Sequence, residues 1–516
     1  MSRLFLFAIG GTGARIVRSL TMMLASGVEG LDSSTEIVPI IIDYDLSNGD
    51  KTRAIKALEK YSEIHQSLYA DTANGKLYTD HFFMTTIKPL SQTGVALAPG
   101  AAQLKNFEFN FGPAGTSQKF SEYLNKSALN TVTGAELTEQ LLYALYDTSE
   151  GNCPNAELEL DMNLGFKGNP NIGSVVFHDL RESAEFRQFR NTFNAAQDKV
   201  FIVSSIFGGT GASGFPEIVN AIRTSPLATL NPAIIGSALV LPYFDLGEPH
   251  PEKGDVGAID ATLFNAKTRA ALSFYAAPNG INSKVNALYY VGDENRDAYD
   301  FNEGSDRQKN AAHVVEFVAA SAIIDFLRRP VMLADHDAYE FSIKDEKKGQ
   351  SIQLPDFENS THTLFLDNLS AFVIAMKYYR DIICGDREKI SGRTAYYSNE
   401  RFGLSSKLGK GVYQQLDEFL NAGYETNNDW AFYPWLKELQ THTHKLYPYV
   451  VDKAKNMKEV LSHKTIELPG IHTNPIKDDV ISGELDKKSE GLGNYSDQAF
   501  FKILRDVMKA KYNQVK

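Results

Sequence analysis

An α/β fold built on a parallel sheet is what this 516-residue chain predicts, and three observations predict it. Apolar runs of strand length recur at Leu4–Ile9, Ile37–Ile42, Val200–Val203 and Ala233–Leu241. Helical periodicity follows the first three, giving strand–loop–helix units at 4–25, 37–64 and 200–223. Two of the runs open directly into glycine-rich turns. Strands buried on both faces read as continuous apolar runs, so helices are expected on both sides of the sheet.

The first unit places Gly10-Gly11-Thr12-Gly13 between a strand and a helix carrying Ile16, Val17, Leu20 and Met23. Glycines let backbone N–H groups converge, and the unpaired amides of a first helical turn favour an anion. As a dinucleotide fingerprint the loop lacks its third glycine, because Ile16 stands there. The second strand ends in Asp43-Tyr44-Asp45. Acidic residues there suit a ribose hydroxyl or a hydrated magnesium ion, and equally suit capping of the next helix. The third unit repeats the anion pattern more fully, with Gly208-Gly209-Thr210-Gly211-Ala212-Ser213-Gly214 ahead of a helix. Thr210 and Ser213 add hydroxyl donors. Two such loops almost two hundred residues apart fit a nucleotide gripped from two sides.

Between these units, residues 65–160 break the rhythm and read as an insertion with one helix near 135–147. A further short strand, Ala287–Val291, precedes a long helix at about 307–327 that is apolar around most of its circumference, as a helix between two layers would be. Residues 343–363 read as a polar excursion. The remainder is helix-rich, with periodicity at 364–384, 411–422, 431–461 and 496–512. The last of these carries the stripe Phe500, Ile503, Leu504, Val507, Met508 with Lys502, Arg505, Lys509 and Lys511 elsewhere, which fits packing on its own domain or a partner-binding tail.

Composition bounds the function. Apolar content of 43% and charged content of 22% describe an ordinary globular chain. A net charge of −12 argues against a surface that coats nucleic acid. Cys153 and Cys384 have no metal-ligand spacing around them, the pattern of reduced thiols. No apolar stretch is long enough to span a bilayer, so a soluble, cytoplasmic protein is expected.

The order of these pieces resembles the tubulin/FtsZ superfamily from residue 1 to about 340. IGGTGAR at 9–15 is similar to the family's first nucleotide loop and IIIDYD at 40–45 to its second strand and loop. GFKGNPNIG at 165–173 is similar to the third loop, and GGTGASG at 208–214 to the GGTGxG signature. LPYF at 241–244 looks like the strand end entering the fifth loop, and Phe264-Asn265-Ala266 like the segment that supplies a base-contacting Asn. Asp335-His336-Asp337-Ala338-Tyr339-Glu340 resembles the synergy loop, with Asp335 in place of Asn. Arg15 stands where that family has a guanine-contacting Asn, and Asn310, Ala312 and His313 lie where its guanine-binding Asp would fall.

The resemblance implies a Rossmann-like GTPase domain over 1–306, a central helix at 307–330, a divergent helix-rich second domain at 331–495 and a basic amphipathic tail at 496–516. It implies GTP or GDP, with ATP an open alternative, held by Gly10, Gly11, Thr12, Gly13, Gly168, Asn169, Gly208, Gly209, Thr210, Gly211 and Ser213. Asn265 would reach the base, and Asp43 and Asp45 would hold Mg2+ through water. Asp335, Asp337 and Glu340 of one subunit would complete hydrolysis in the next, in a head-to-tail oligomer or filament. Two other readings stand beside it: a non-polymerising, nucleotide-sensing scaffold or adaptor, and an NAD- or FAD-dependent oxidoreductase built on the first loop alone.

Overall fold

The computed structural model describes residues 2–31, 34–70, 78–93, 106–112, 118–125, 135–146, 157–247, 263–294, 296–302, 304–341, 352–353, 367–385, 395–421, 428–447 and 478–515. Most of the 343–363 excursion, Cys153 and the 448–461 part of the predicted helix lie outside these residues.

Apolar runs become strands β1 (Ser2–Ile9), β2 (Thr35–Ile42), β3 (Thr86–Ile87), β4 (Glu108–Phe109), β5 (Lys199–Ser205) and β6 (Ile234–Val240). They are followed by β7 (Phe244–Leu246), β8 (Ala287–Val291), β9 (Asp297–Tyr299), β10 (Asp337–Phe341), β11 (Ile352–Gln353) and β12 (Leu446–Tyr447). The principal helices are α1 (Gly10–Ala25), α2 (Gly49–Ala70), α3 (Ala135–Leu145), α4 (Pro170–Val176), α5 (Ala184–Thr192), α6 (Gly209–Arg223) and α7 (Phe264–Tyr275). They continue with α8 (Val314–Arg328), α9 (Asp367–Tyr378), α10 (Gly411–Leu420), α11 (Phe432–Glu438), α12 (Asp478–Ser489) and α13 (Asp497–Val515).

The main sheet runs β10-β8-β6-β5-β1-β2-β3, with β4 also paired to β2, and every pairing is parallel. Alternation along β1 sends Leu4, Leu6 and Ala8 to one face and Phe5, Phe7 and Ile9 to the other. Helices α4, α5 and α6 cover the second face. Helices α1, α2 and α8 cover the first, and α9, α10 and α13 pack outside them. The architecture is therefore α/β, a Rossmann-like parallel sheet between helical layers with one further helical layer on one side.

Two sequence expectations change. The long helix starts at Val314, not near 307, because the His313 ring accepts the Val315 N–H and Glu316 bonds back to the His313 amide, which together end the helix there. Helix α8 also leads straight into β10, which pairs with β8 in the same sheet. It is thus a crossover helix within the sheet rather than a bridge to a separate body. Consistent with this, the helices of 331–495 and the tail share one continuous apolar core with α1, α2 and α8.

The tail follows the first of its two sequence readings and packs on its own chain. Phe500, Phe501, Ile503, Leu504, Val507 and Met508 of α13 are buried. Lys502 bonds Asp80 at 2.8 Å, and Lys509 pairs with Glu29. The stripe that suited a partner is already covered by the chain itself, so no protein partner is assigned to it. Among the described residues no helix is long and apolar enough to cross a membrane.

Candidate functional site

Parallel strands all deliver their carboxyl ends to one edge of a sheet, and the loops that follow form the crevice there. In this chain that crevice is lined by Gly10, Gly11 and Thr12 after β1, by Asp43, Asp45 and Asn48 after β2, and by Ser205 and Gly208 to Gly211 after β5. The turn 165–168 closes it from the side.

The glycine loops touch one another. A Cβ on Gly10 would lie 3.5 Å from Thr210 Cβ, and one on Gly209 would lie 3.1 Å from the amide nitrogens of Gly168 and Asn169. The first is ordinary contact, whereas the second would press a side chain onto backbone. Gly10, Gly165 and Gly168 also have φ of +70°, +77° and +79°, which side chains disfavour. Lys167 sits among them at φ +42°, an uncommon conformation for a residue with a Cβ. The next carbonyl along, that of Gly168, accepts from Lys267 Nζ at 2.7 Å and so anchors the turn.

Helices α1 and α6 both begin at this crevice, and neither has a side-chain cap. Their first-turn N–H groups therefore face the same space without an intrahelical partner. Two such ends and the partial positive charge of two helix dipoles suit an anion of several charges.

Beneath the first loop lies a buried charge network that the sequence reading did not find. The Arg15 guanidinium donates to Asp50 at 2.6 Å, to the Tyr243 hydroxyl at 2.7 Å and to Glu316. Burial alone would lower the Arg15 pKa, but Glu316 first, then Tyr243 and Asp50, raise it well above its ordinary value. Burial likewise favours the neutral acid at Glu316, and Arg15 reverses this, so Glu316 stays ionised. Arg15 also lines the pocket, but two acids and the Tyr243 hydroxyl already hold its guanidinium.

Asp43 and Asp45 differ in how much of their capacity is spent. Asp45 accepts from the Ser47 amide at 2.9 Å, the Ser47 hydroxyl at 2.8 Å and the Ser305 amide at 2.5 Å. Asp43 accepts from the Asp45 amide at 3.2 Å. Burial pushes the Asp43 pKa up to about 7, with Lys51 opposing and Asp45 adding to the rise. Two buried carboxylates beside an anion pocket form an oxygen donor set that suits a hydrated Mg2+ better than a soft metal.

A pH dependence follows from Asp43. Its folded pKa lies above the unfolded value of 3.8, so the stabilisation belongs to the protonated form. It is complete below that value and lost as pH rises through about 7. Asp43→Asn is expected to raise the melting temperature of the ligand-free protein at pH 8 and leave it unchanged at pH 3.5 or so. Equal shifts at both pH values would contradict the assignment.

Several expected residues do other work. Gly13 packs: a Cβ there would lie 2.7 Å from the Ala8 carbonyl carbon and 3.1 Å from the Val203 oxygen. Ser213 is fully buried and donates back to the Gly209 carbonyl at 2.7 Å, so its hydroxyl is spent inside α6. Asn169 is the residue before α4 and lies behind the turn rather than along the lining. Asn265 is exposed and accepts from Arg296, while its neighbour Phe264 lines the pocket.

The acids after α8 do not form a loop. Asp337 and Glu340 lie on β10, an edge strand, where alternation points them to opposite faces. Asp335 precedes the strand and accepts from the Met332 amide at 2.7 Å, which closes a turn. Register carries Glu340 level with Tyr290, Leu239, Ser204 and Ile9, the carboxyl ends where the pocket begins, whereas Asp335 lies toward the other end of the sheet. None of the three lines the pocket of its own molecule. Charges on an open edge strand also discourage sheet-to-sheet pairing.

The far side of the pocket is polar: Asn310, which the resemblance set near the base, lines it, together with Asn48, Asp300, Asn302 and Gln308, which the sequence reading passed over. Asn48 Oδ1 caps α2 by accepting from the Asp50 amide at 2.9 Å, and its Nδ2 donates to Gln308 Oε1 at 3.0 Å. That fixes the Gln308 carboxamide with its NH2 over Gly11, 3.3 Å from where a Cβ would stand.

Asp297, His313 and His442 bring their ligand atoms close together. His313 Nδ1 accepts the Val315 N–H, so the neutral ring carries its proton on Nε2 and donates it to Asp297 at 3.0 Å. That proton occupies the place a metal would need, and the cluster reads as a hydrogen-bonded strut.

Fold and pocket together define a parallel α/β protein with a glycine-lined crevice at the carboxyl ends of its strands. No protein-family model matches the chain, and no curated protein does.

Proposed function

We propose that the chain binds a nucleoside triphosphate, GTP by its likeness to the tubulin/FtsZ superfamily, and hydrolyses it in step with self-association. The observation that supports this most is the meeting of two uncapped helix N-termini and the 165–168 turn around one space. Phosphates would be held by amides of 10–12, 168 and 208–211. Lys167 would neutralise the terminal phosphate, and Gln308 Nε2 would donate to the chain of phosphates from above Gly11. Asp43 and Asp45 would hold Mg2+ through water, and that ion would supply charge neutralisation between the phosphates. Hydrolysis needs positioning and charge balance more than covalent chemistry, and the lining offers both.

Assembly would bring Asp335 of one molecule, at the end of the sheet away from its own pocket, toward the pocket of the next, while Asp337 and Glu340 run back along the edge strand toward their own pocket's end. A second reading is favoured by the placement of those two acids on opposite faces of β10: a nucleotide-sensing scaffold that does not polymerise. An oxidoreductase would leave the 165–168 and 208–211 turns without a ligand.

Sedimentation and turnover at rising protein concentration separate the first two. Pelleting on addition of GTP with Mg2+, and activity per subunit that rises with concentration, support assembly; flat activity without pelleting supports the scaffold. Within either, Lys167→Gly is expected to weaken triphosphate binding by about tenfold, the scale of one charge-assisted contact. Its melting temperature should hold, because glycine relieves the φ of +42°. Unchanged affinity would remove Lys167 from the phosphate site.

A further inference from the structure

The pocket wall at 308–313 is a strip gripped from two sides. On its inner side Gln308 and Asn310 line the pocket, and the Asn310 amide donates to Asp50 Oδ1 at 3.1 Å. On its outer side β9 holds it, with Tyr299 donating to the Ala311 carbonyl at 3.1 Å and Asp297 accepting from His313 at 3.0 Å, and the segment 428–447 adds three further holds. Lys309 pairs with Asp429 at 3.1 Å, the Ala312 carbonyl accepts from His442 at 3.0 Å, and the Ala312 amide donates to Glu438 Oε2 at 2.9 Å.

Glu438, at the end of α11, is where these holds converge. Its carboxylate accepts from Arg18 at 2.7 Å and from Arg53 at 3.1 Å as well as from Ala312. Arg53 continues inward, donating to Asp50 Oδ1 at 2.6 Å and to the Asn310 carbonyl. Asp50 Oδ2 then accepts from Arg15 beneath Gly11 at 2.6 Å. Arg18 extends the same grip outward, to the carbonyls of Asp429 at 2.8 Å and Trp430 at 3.2 Å. Arg15, Arg18, Arg53 and Asp50 are all almost wholly buried, so the chain of charges has little water to relax into.

We propose that Glu438 is a positioning residue for the pocket, and that through it ligand binding and docking of the 428–447 segment are coupled. The inference rests on the nucleotide reading of the pocket and names the regulation of that site. A ligand that fixes Gln308 and Asn310 fixes the strip, and the strip holds the segment. By linkage, anything that pulls the segment away weakens the ligand by the same factor.

Hydrogen exchange on the full-length protein tests this, with GTPγS and Mg2+ as the probe. Ligand is expected to slow exchange of amides in 308–313 and 429–444 by about tenfold, while α12, distant from the strip, is unchanged. Glu438→Ala should weaken GTPγS by about tenfold, and Glu438→Gln, which keeps the volume and one acceptor but turns an NH2 toward a donor, should recover only part of that. A merely structural role would lower the melting temperature of both variants without the exchange response in the wild type. Wild-type binding with no protection at 429–444 overturns the coupling while leaving the nucleotide reading intact. No wild-type binding of GTPγS or ATPγS overturns both. Should Glu438→Ala fail to fold, the wild-type exchange pattern and Glu438→Gln decide.

Discussion

Glu316→Ala is expected to remove about 3–5 kcal/mol of folding stability, the cost of stripping one partner from a buried ion pair. Both Glu316 and Arg15 are buried, and three groups lose a partner at once. Arg15 keeps only Asp50 as an acid, the Tyr243 hydroxyl loses the acceptor it reaches at 2.6 Å, and the His313 amide loses its capping bond at 3.1 Å. The loss should therefore exceed that of an exposed pair such as Lys60–Glu63, for which about 0.3–0.5 kcal/mol is usual. Urea denaturation of Glu316→Ala beside Glu63→Ala measures the contrast. A loss below about 1 kcal/mol for Glu316→Ala would mean that the network beneath the first loop is hydrated and loose.

The second large effect separates two glycines with a single residue, Thr12, between them. Gly13→Ala drives a Cβ to 2.7 Å from the Ala8 backbone, so helix α1 must move off the sheet. A loss of about 1–3 kcal/mol is expected, in the range of overpacked cores. Gly11→Ala meets only side-chain ends, Gln308 Nε2 at 3.3 Å and Arg15 Nη1 and Asn48 Nδ2 at 3.6 Å, beside the pocket. Its melting temperature should stay near that of the wild type while triphosphate affinity falls about tenfold or more, because the methyl group stands where a phosphate approaches the amides. Thermal melts and equilibrium titration of the two variants read both quantities. Reversal of the pattern, with Gly11→Ala unstable and Gly13→Ala defective only in binding, would assign the two glycines wrongly.

Much of this arrangement was legible in the sequence for a simple reason. A buried parallel strand is a run of apolar residues, and a helix that starts at a ligand starts with glycine, so β1, β2, β5 and the loops at 10–13 and 208–211 announce themselves locally. The opposite wall does not. Asn48, Asn302, Gln308 and Asn310 are ordinary polar residues until the fold brings segments more than two hundred residues apart together. Arg15 was visible as a departure, but its meaning depends on Asp50 and Glu316, which no spacing rule connects. His313 as a helix cap was open to reading, since Glu316 three residues on completes the pattern.

The strand β10 was hidden by its charges. In Asp337-Ala338-Tyr339-Glu340-Phe341 the acids suggested a loop, while Tyr339 and Phe341 at alternate positions are the strand signal. Helix α11 failed to extend through 461 as its periodicity suggested; the described chain leaves the helix after Glu438 and enters β12 at Leu446. Thr443 and His444 are held there by Asp297 at 2.9 Å and Asp293 at 2.6 Å, tertiary bonds that outweigh local preference.

The proposal that three turns share one triphosphate is tested most directly by calorimetric titration of the full-length protein with GTP analogue and Mg2+, repeated with Gly11→Ala. One site per chain, with micromolar or tighter affinity that the variant loses by about tenfold or more, is the expected result. Absence of binding by GTPγS and ATPγS at millimolar concentration, or binding that Gly11→Ala leaves unchanged, would contradict it.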